Sequence, residues 1–314
     1  SNGLFSASGS GVLVYQPGNS TSERKLDVYD VGGKLVQSLG GPERSLAARV
    51  SRDGKRLAFA LLAPDGKADI WIQDIASGNR IRLTVDPLRS LFPVWSRDGT
   101  RIAYISQRSG KPAIYVRPTD GMGVEQKVWE LPISGNVADW MPDSKTLIVA
   151  DRSQATGRMR LLLLPAEGSA EPAPLLEVQG ANVTSARVSP DGHWIAYQSD
   201  ESGKNEIYVS ALPKPAGKLQ ISLAGGRLPK WRGDGKELYF LAADGNLTAA
   251  ELKESNGSLQ VAALRALFLI RTVTPNDSYD AFPDGKRFLV NTVTTEEIPA
   301  PLNLVLNWTA ELKK

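Results

Sequence analysis

Trp95-Ser96-Arg97-Asp98-Gly99, followed closely by Ile102-Ala103-Tyr104, is one copy of a phrase that recurs along the chain. The phrase starts on a large apolar residue, crosses a short polar turn and ends in a strand with an aromatic near its end. Val50-Ser51-Arg52-Asp53-Gly54 leads into Leu57-Ala58-Phe59, and Val188-Ser189-Pro190-Asp191-Gly192 leads into Ile195-Ala196-Tyr197. Trp140-Met141-Pro142-Asp143-Ser144 before Leu147-Ile148-Val149 is a looser copy. Trp231-Arg232-Gly233-Asp234-Gly235 and Phe282-Pro283-Asp284-Gly285 complete the clear ones. Their aspartates lie 45, 45, 48, 43 and 50 residues apart, the length of one four-stranded propeller blade. One more step back reaches Ser8, in Phe5-Ser6-Ala7-Ser8-Gly9 before Val12-Leu13-Val14-Tyr15, a degenerate further copy.

The spacing predicts an all-β chain, one β-propeller domain over residues 1–314 with four-stranded antiparallel blades. Seven blades are expected, with six or eight as the alternatives. The units fall at about 3–45, 46–90, 91–135, 136–183, 184–226, 227–276 and 277–314. Short apolar runs broken by Gly, Pro, Asp and Ser supply the remaining strands, such as Asp69-Ile70-Trp71-Ile72 and Ile114-Tyr115-Val116. No stretch keeps a helical period.

In the phrase itself Gly supplies the positive φ of a tight turn, and Asp accepts from the turn's own amides. Asp53, Asp98, Asp143, Asp191, Asp234 and Asp284 are therefore read as structural turn residues, not as acids or metal ligands. The large residue ahead of each turn would wedge between blades, where its burial contributes roughly 2–3 kcal/mol. The first unit opens on its innermost strand, and the last stops at a third strand running from Leu302 to Trp308. An outer strand from upstream of Ser1 is expected to complete it, since an open edge would otherwise remain.

Composition narrows the chemistry. The chain has no cysteine and one histidine, so disulfides, thiolate nucleophiles and Cys- or multi-His metal sites are excluded. The net charge of +3 predicts no strong field for nucleic acid or anionic lipid. No run of about 18 apolar residues exists to insert into a membrane. Ser1-Asn2-Gly3 is no signal peptide and reads as a remnant ahead of a domain cut from a longer protein. Ala310 to Lys314 reads as a natural terminus.

The Ser-x-Asp-Gly-x-x-Leu/Ile-Ala-Phe/Tyr phrase resembles the TolB-type propeller repeat, found also in propellers of prolyl-oligopeptidase-like enzymes. Longer stretches resemble the C-terminal propeller of bacterial receptor-like serine/threonine protein kinases. These are Asp69-Ile70-Trp71 with Arg82-Leu83-Thr84, Pro93-Val94-Trp95-Ser96, residues 189–197, Gly233 to Tyr239, and Val305-Leu306-Asn307-Trp308. That resemblance implies a sensor outside the cytoplasm, tethered by a membrane segment to a kinase. The alternatives are a soluble periplasmic interaction protein of TolB type and the gating propeller of an oligopeptidase.

No catalytic residue is expected here. Asp-Phe-Gly, His-Arg-Asp and a nucleotide-covering Gly-rich loop are missing, so this chain is no kinase. His193 occupies a turn slot held elsewhere by Lys55, Thr100, Lys145, Lys236 or Lys286, and no Gly-x-Ser-x-Gly elbow accompanies it. A glycosidase-like carboxylate pair has no short motif to search for. No cofactor and no metal are expected.

A ligand (small molecule, glycan, peptide or protein) would meet the channel mouth. The residues just before the wedge are Arg49, Val94, Asp139, Arg187, Lys230 and Ala281, after mostly small ones. Arg49, Arg187 and Lys230, with Asp139 as counter-charge, are the expected site for an anionic ligand; the alternative is a solvated channel. Arg44, Arg89 and Phe92 are candidate rim residues for a partner.

Overall fold

The computed structural model describes residues 4–8, 12–16, 23–168, 171–255, 257–270, 279–293 and 303–306. The hairpin β1 (Leu4–Ala7) and β2 (Val12–Gln16) comes first, then β3 (Arg24–Asp30) and β4 (Leu35–Ser38). Five four-stranded antiparallel blades follow in sequence order, innermost strand first. Blade one is β5 (Ser45–Val50), β6 (Arg56–Leu62), β7 (Ala68–Asp74) and β8 (Arg80–Arg82). Blade two is β9 (Ser90–Trp95), β10 (Arg101–Ser106), β11 (Ala113–Pro118) and β12 (Gln126–Glu130). Blade three is β13 (Gly135–Trp140), β14 (Thr146–Arg152), β15 (Met159–Pro165) and β16 (Ala173–Leu176). Blade four is β17 (Val183–Val188), β18 (Trp194–Ser199), β19 (Glu206–Ala211) and β20 (Leu219–Gln220). Blade five is β21 (Gly226–Trp231), β22 (Glu237–Ala242), β23 (Asn246–Ser255) and β24 (Ser258–Leu269).

The sixth blade joins the two ends of the chain. Its inner strands are β25 (Tyr279–Ala281) and β26 (Arg287–Val293), and its outer strands are β3 and β4, in the order β25-β26-β3-β4. The ring then closes directly. Tyr279 donates its hydroxyl to the Leu228 carbonyl of blade five at 2.7 Å, and Asn291 Nδ2 donates to the Ser45 carbonyl of blade one at 3.2 Å.

The propeller therefore has six blades, not seven. Residues 24–38 make no blade of their own, because they fill the two outer places of the last one. The degenerate copy near Ser8 goes instead into a three-stranded sheet, where β2 pairs with β1 and with β27 (Asn303–Leu306). The single outer strand expected from upstream of Ser1 is not needed, because β3 and β4 fill both outer places of the last blade, and β27, expected as its third strand, pairs with β2 instead. Trp308 and the five residues from Ala310 to Lys314 lie outside the described residues.

The wedges sit between blades as expected. Trp140 is fully buried among Val94, Ala103, Val137 and Val149, and Arg101 of the blade before stacks over its ring at 5.2 Å. Arg56 covers Trp95 in the same way at 4.7 Å and donates to the Gly99 carbonyl at 2.9 Å. Each Asp-Gly turn is built as its residues dictate: Ser51 Oγ donates to Asp53, which accepts from the Lys55 amide, while Gly54 adopts φ +70°.

Leu26 of β3 is 1% exposed and packs with Leu57, Phe59, Phe282 and Leu289, so it belongs to the closure of the ring. Leu26→Ala should lower the unfolding free energy by about 2–5 kcal/mol. Leu35→Ala, at an exposed position of β4, should cost under about 1 kcal/mol. Urea denaturation of the two variants checks this; equal losses would mean that β3 does not close the ring.

Candidate functional site

The inner strands carry the axis, and each of five contains an irregularity that the repeat does not announce. Pairing slips between Leu46 and Arg49, between Leu91 and Val94, between Val137 and Asp139, between Thr184 and Arg187, and between Arg227 and Lys230. In four of these bulges the residue three before the wedge takes positive φ: Ala47 (53°), Phe92 (58°), Ser185 (52°) and Leu228 (59°). Such φ is unfavourable for bulky side chains, and a bulge bends its strand and re-aims the residues after it. The residues re-aimed are those of the axial ring.

That ring is Arg49, Val94, Asp139, Arg187, Lys230 and Asp280, which together line one cavity of about 100 Å³. Asp280 holds the place assigned above to Ala281. The last phrase carries its aromatic one residue later: Phe282 precedes its aspartate by two positions where the other wedges precede theirs by three. Strand pairing shows the true register: Ala281 faces Phe288 as Val50 faces Leu57. Alignment on the Asp-Gly turn, instead of on the aromatic, finds it in the sequence.

Every junction between blades is bridged near the axis by a hydrogen bond. Trp95 Nε1 donates to the Arg49 carbonyl at 3.1 Å, Trp140 Nε1 to Val94 at 3.1 Å, and Trp231 Nε1 to Arg187 at 2.9 Å. Where the wedge is valine, the preceding blade supplies an aspartate instead. Asp139 Oδ2 accepts from the Val188 amide at 2.9 Å, and Asp280 Oδ2 from the Val50 amide at 2.9 Å. The sixth junction is the Tyr279 hydroxyl on Leu228.

The ring cations are held as well. Lys230 Nζ lies 2.8 Å from Asp280 Oδ1, and Lys230 is only 5% exposed. Burial, with Arg187 and Arg49 nearby, outweighs Asp280 and pushes the Lys230 ammonium down to about 7. Burial also works against the Asp280 charge, yet Lys230, Arg49 and the Val50 amide hold that carboxyl below its ordinary value. Arg187 Nη1 donates to the carbonyls of Ala138 and Ala186, and Arg49 Nη1 to that of Ala48 at 3.1 Å. Arg97, which sequence reasoning passed over, reaches the axis from the turn after Trp95. It donates to the Trp140 carbonyl at 3.1 Å and the Val188 carbonyl at 2.8 Å, and lies 3.4 Å from Asp139.

A second cavity of about 170 Å³ shares Arg49, Val94 and Arg187 with the first. Its further lining includes Asn136, Thr184, Gln198 and the half-buried Phe92. Arg89 is exposed and donates its Nε to the Gly66 carbonyl at 2.7 Å; Arg44 is half-buried just ahead of β5. His193 is exposed in its turn, with Nδ1 3.4 Å from Asp191. Among the described residues no group of three His, Asp or Glu is placed to hold a metal ion.

Residues 25–171 match the TolB beta propeller domain family. The chain is 32% identical over 103 residues to the uncharacterized peptidase YuxL of Bacillus subtilis, covering 31% of this chain and 16% of that protein. It is 28% identical over 200 residues to the Tol-Pal system protein TolB of Wolinella succinogenes, covering 60% of this chain and 45% of that one. The chain thus spans under half the length of these curated relatives. The solved structure of a putative TolB from Agrobacterium tumefaciens superposes with a TM-score of 0.67 at 18% identity, over 88% of this chain and all of that one. In fold the chain is a TolB-like β-propeller.

The depressed Lys230 has a measurable consequence. Between about pH 7 and the ordinary lysine value of 10.5 the unfolded chain holds a proton that the folded chain has released. Stability contributed through this group therefore rises with pH across that window. In thermal melts, the wild-type protein should gain on Lys230→Met from pH 7 to pH 10, and the gap should stay constant below pH 7. A constant gap across the whole range would show that Lys230 keeps its proton.

Proposed function

We propose that the chain is a non-catalytic binding propeller acting outside the cytoplasm as a protein-interaction module of TolB type. Its ligand-reading site is the axial ring, with Arg49, Arg187 and Lys230 selecting anionic groups and Asp139 as counter-charge; Arg44 and Arg89 belong to the partner surface. The observation that carries this reading is the cavity at the axis, lined by three cations that converge from blades one, four and five. A buried cation destabilised by its neighbours gains most from an anion brought to it. The sequence match to TolB from Wolinella succinogenes and the superposition on a putative TolB support the choice of module.

Two further readings each have one observation in their favour. The phrases shared with receptor-kinase propellers favour a sensor tethered to a membrane kinase. The match to the Bacillus subtilis peptidase favours a propeller that accompanies a hydrolase domain. Reading the native frame on both sides of this chain separates the three. A cleavable leader alone is the expected result. A kinase domain with an apolar span of about 20 residues would make the propeller a sensor, and a hydrolase domain beside it would overturn the TolB-type reading.

The site has its own test. Arg187→Ala combined with Lys230→Ala should weaken binding of small carboxylate anions, followed by calorimetry, at least tenfold. Unchanged binding would remove the axis from the proposal.

A further inference from the structure

The six ring residues repeat themselves halfway round. Arg49, Val94 and Asp139 on blades one to three are matched by Arg187, Lys230 and Asp280 on blades four to six. The match extends to what surrounds them. Both arginines precede a valine wedge, and each of those valine amides donates to the aspartate of the blade before it. Blades one and four are three steps apart in a ring of six, so Arg49 and Arg187 stand on opposite sides of the axis in equivalent settings. One position breaks the pattern, where Lys230 stands across from Val94.

Two opposed guanidiniums suit a ligand with two anionic ends, because the planar fork of each grips one carboxylate in a bidentate way. The space sets the size. Cavities of about 100 and 170 Å³ both touch Arg49, Val94 and Arg187. An apolar cavity of about 150 Å³ accepts benzene, so the space against these side chains suits a handful of heavy atoms. The ring also carries three cations to two anions, Asp139 and Asp280, which accept from the Val188 and Val50 amides and pair with Arg97 and Lys230.

We propose that the propeller axis binds a small aliphatic dicarboxylate, one carboxylate on Arg49 and the other on Arg187. The chain between the carboxylates passes Lys230 on one flank and Val94 on the other, so the broken repeat gives the ligand a polar and an apolar side. This rests on the anionic-site reading above and adds to it the class of ligand.

Calorimetric titration of the wild-type chain with succinate, malonate, acetate and inorganic phosphate, at matched ionic strength, tests the proposal. Succinate or malonate should bind at least tenfold more tightly than acetate or phosphate. Arg49→Gln and Arg187→Gln should each bring the dicarboxylate down to acetate affinity, since each removes one end of the grip. Lys230→Met should keep the dicarboxylate preference but lose the tightening of affinity that the wild type shows as pH falls through about 7. If acetate, phosphate and dicarboxylate bind alike, the dicarboxylate is overturned and the anionic site stands. If none of the four binds, both fall. Should the glutamine variants fail to fold, the wild-type ligand series decides the question by itself.

Discussion

The hydrogen bond that crosses each blade junction beside the axis is the constraint from which the rest of this propeller follows. Blades are separate sheets, and apolar packing between them is non-directional; packing alone does not fix how far each blade is turned about its neighbour. A buried indole N–H or amide that must find its acceptor does fix it. Such a bond adds only about 1 kcal/mol of net stability, but leaving its buried partners unpaired costs more. Six of them, one per junction, set the rotation of every blade and bring six inner strands to one narrow axis.

This constraint also explains what was legible in the sequence. The Asp-Gly phrase is local: its turn is built from residues two to five apart, so it shows in the chain and gives the blade type and the strand order. The count of blades is not local. Whether residues 24–38 found a blade or finish one depends on β3 pairing with β26, some 260 residues away, and no period in the chain encodes that. The bulges are equally silent. Ala47, Phe92, Ser185 and Leu228 are not residues that advertise positive φ, and they hold it because the surrounding sheet and axis demand it.

Of the candidate site, Arg49, Val94, Asp139, Arg187 and Lys230 could be read in advance, because they keep a fixed step from the wedge. Asp280 was hidden because Phe282 stands one residue nearer its aspartate than the other large residues do, and Arg97 because it lies in a turn that exposes Asp98 and Thr100. Its long side chain crosses two blade junctions to reach Val188, which is a property of the closed ring and of nothing in the local sequence.

The junction bond finally decides which axial side chains are committed to it. Where the next wedge is tryptophan, the ring residue before it contributes only a backbone carbonyl, and its side chain can be arginine, valine or arginine again, as at Arg49, Val94 and Arg187. Where the next wedge is valine, the indole is missing, and the ring residue must be a carboxylate that reaches the valine amide, as at Asp139 and Asp280. The anions of the ring are thus committed to architecture by the choice of wedge. The cations are tied in more variously: Arg187 donates to the Ala138 carbonyl of the blade before it, and Lys230 pairs with Asp280 of the blade after it. Burial first, and then the two guanidinium neighbours, push the Lys230 ammonium down despite its pairing with Asp280; under the proposed function, an anion arriving at the axis would offset a cost that folding alone otherwise carries.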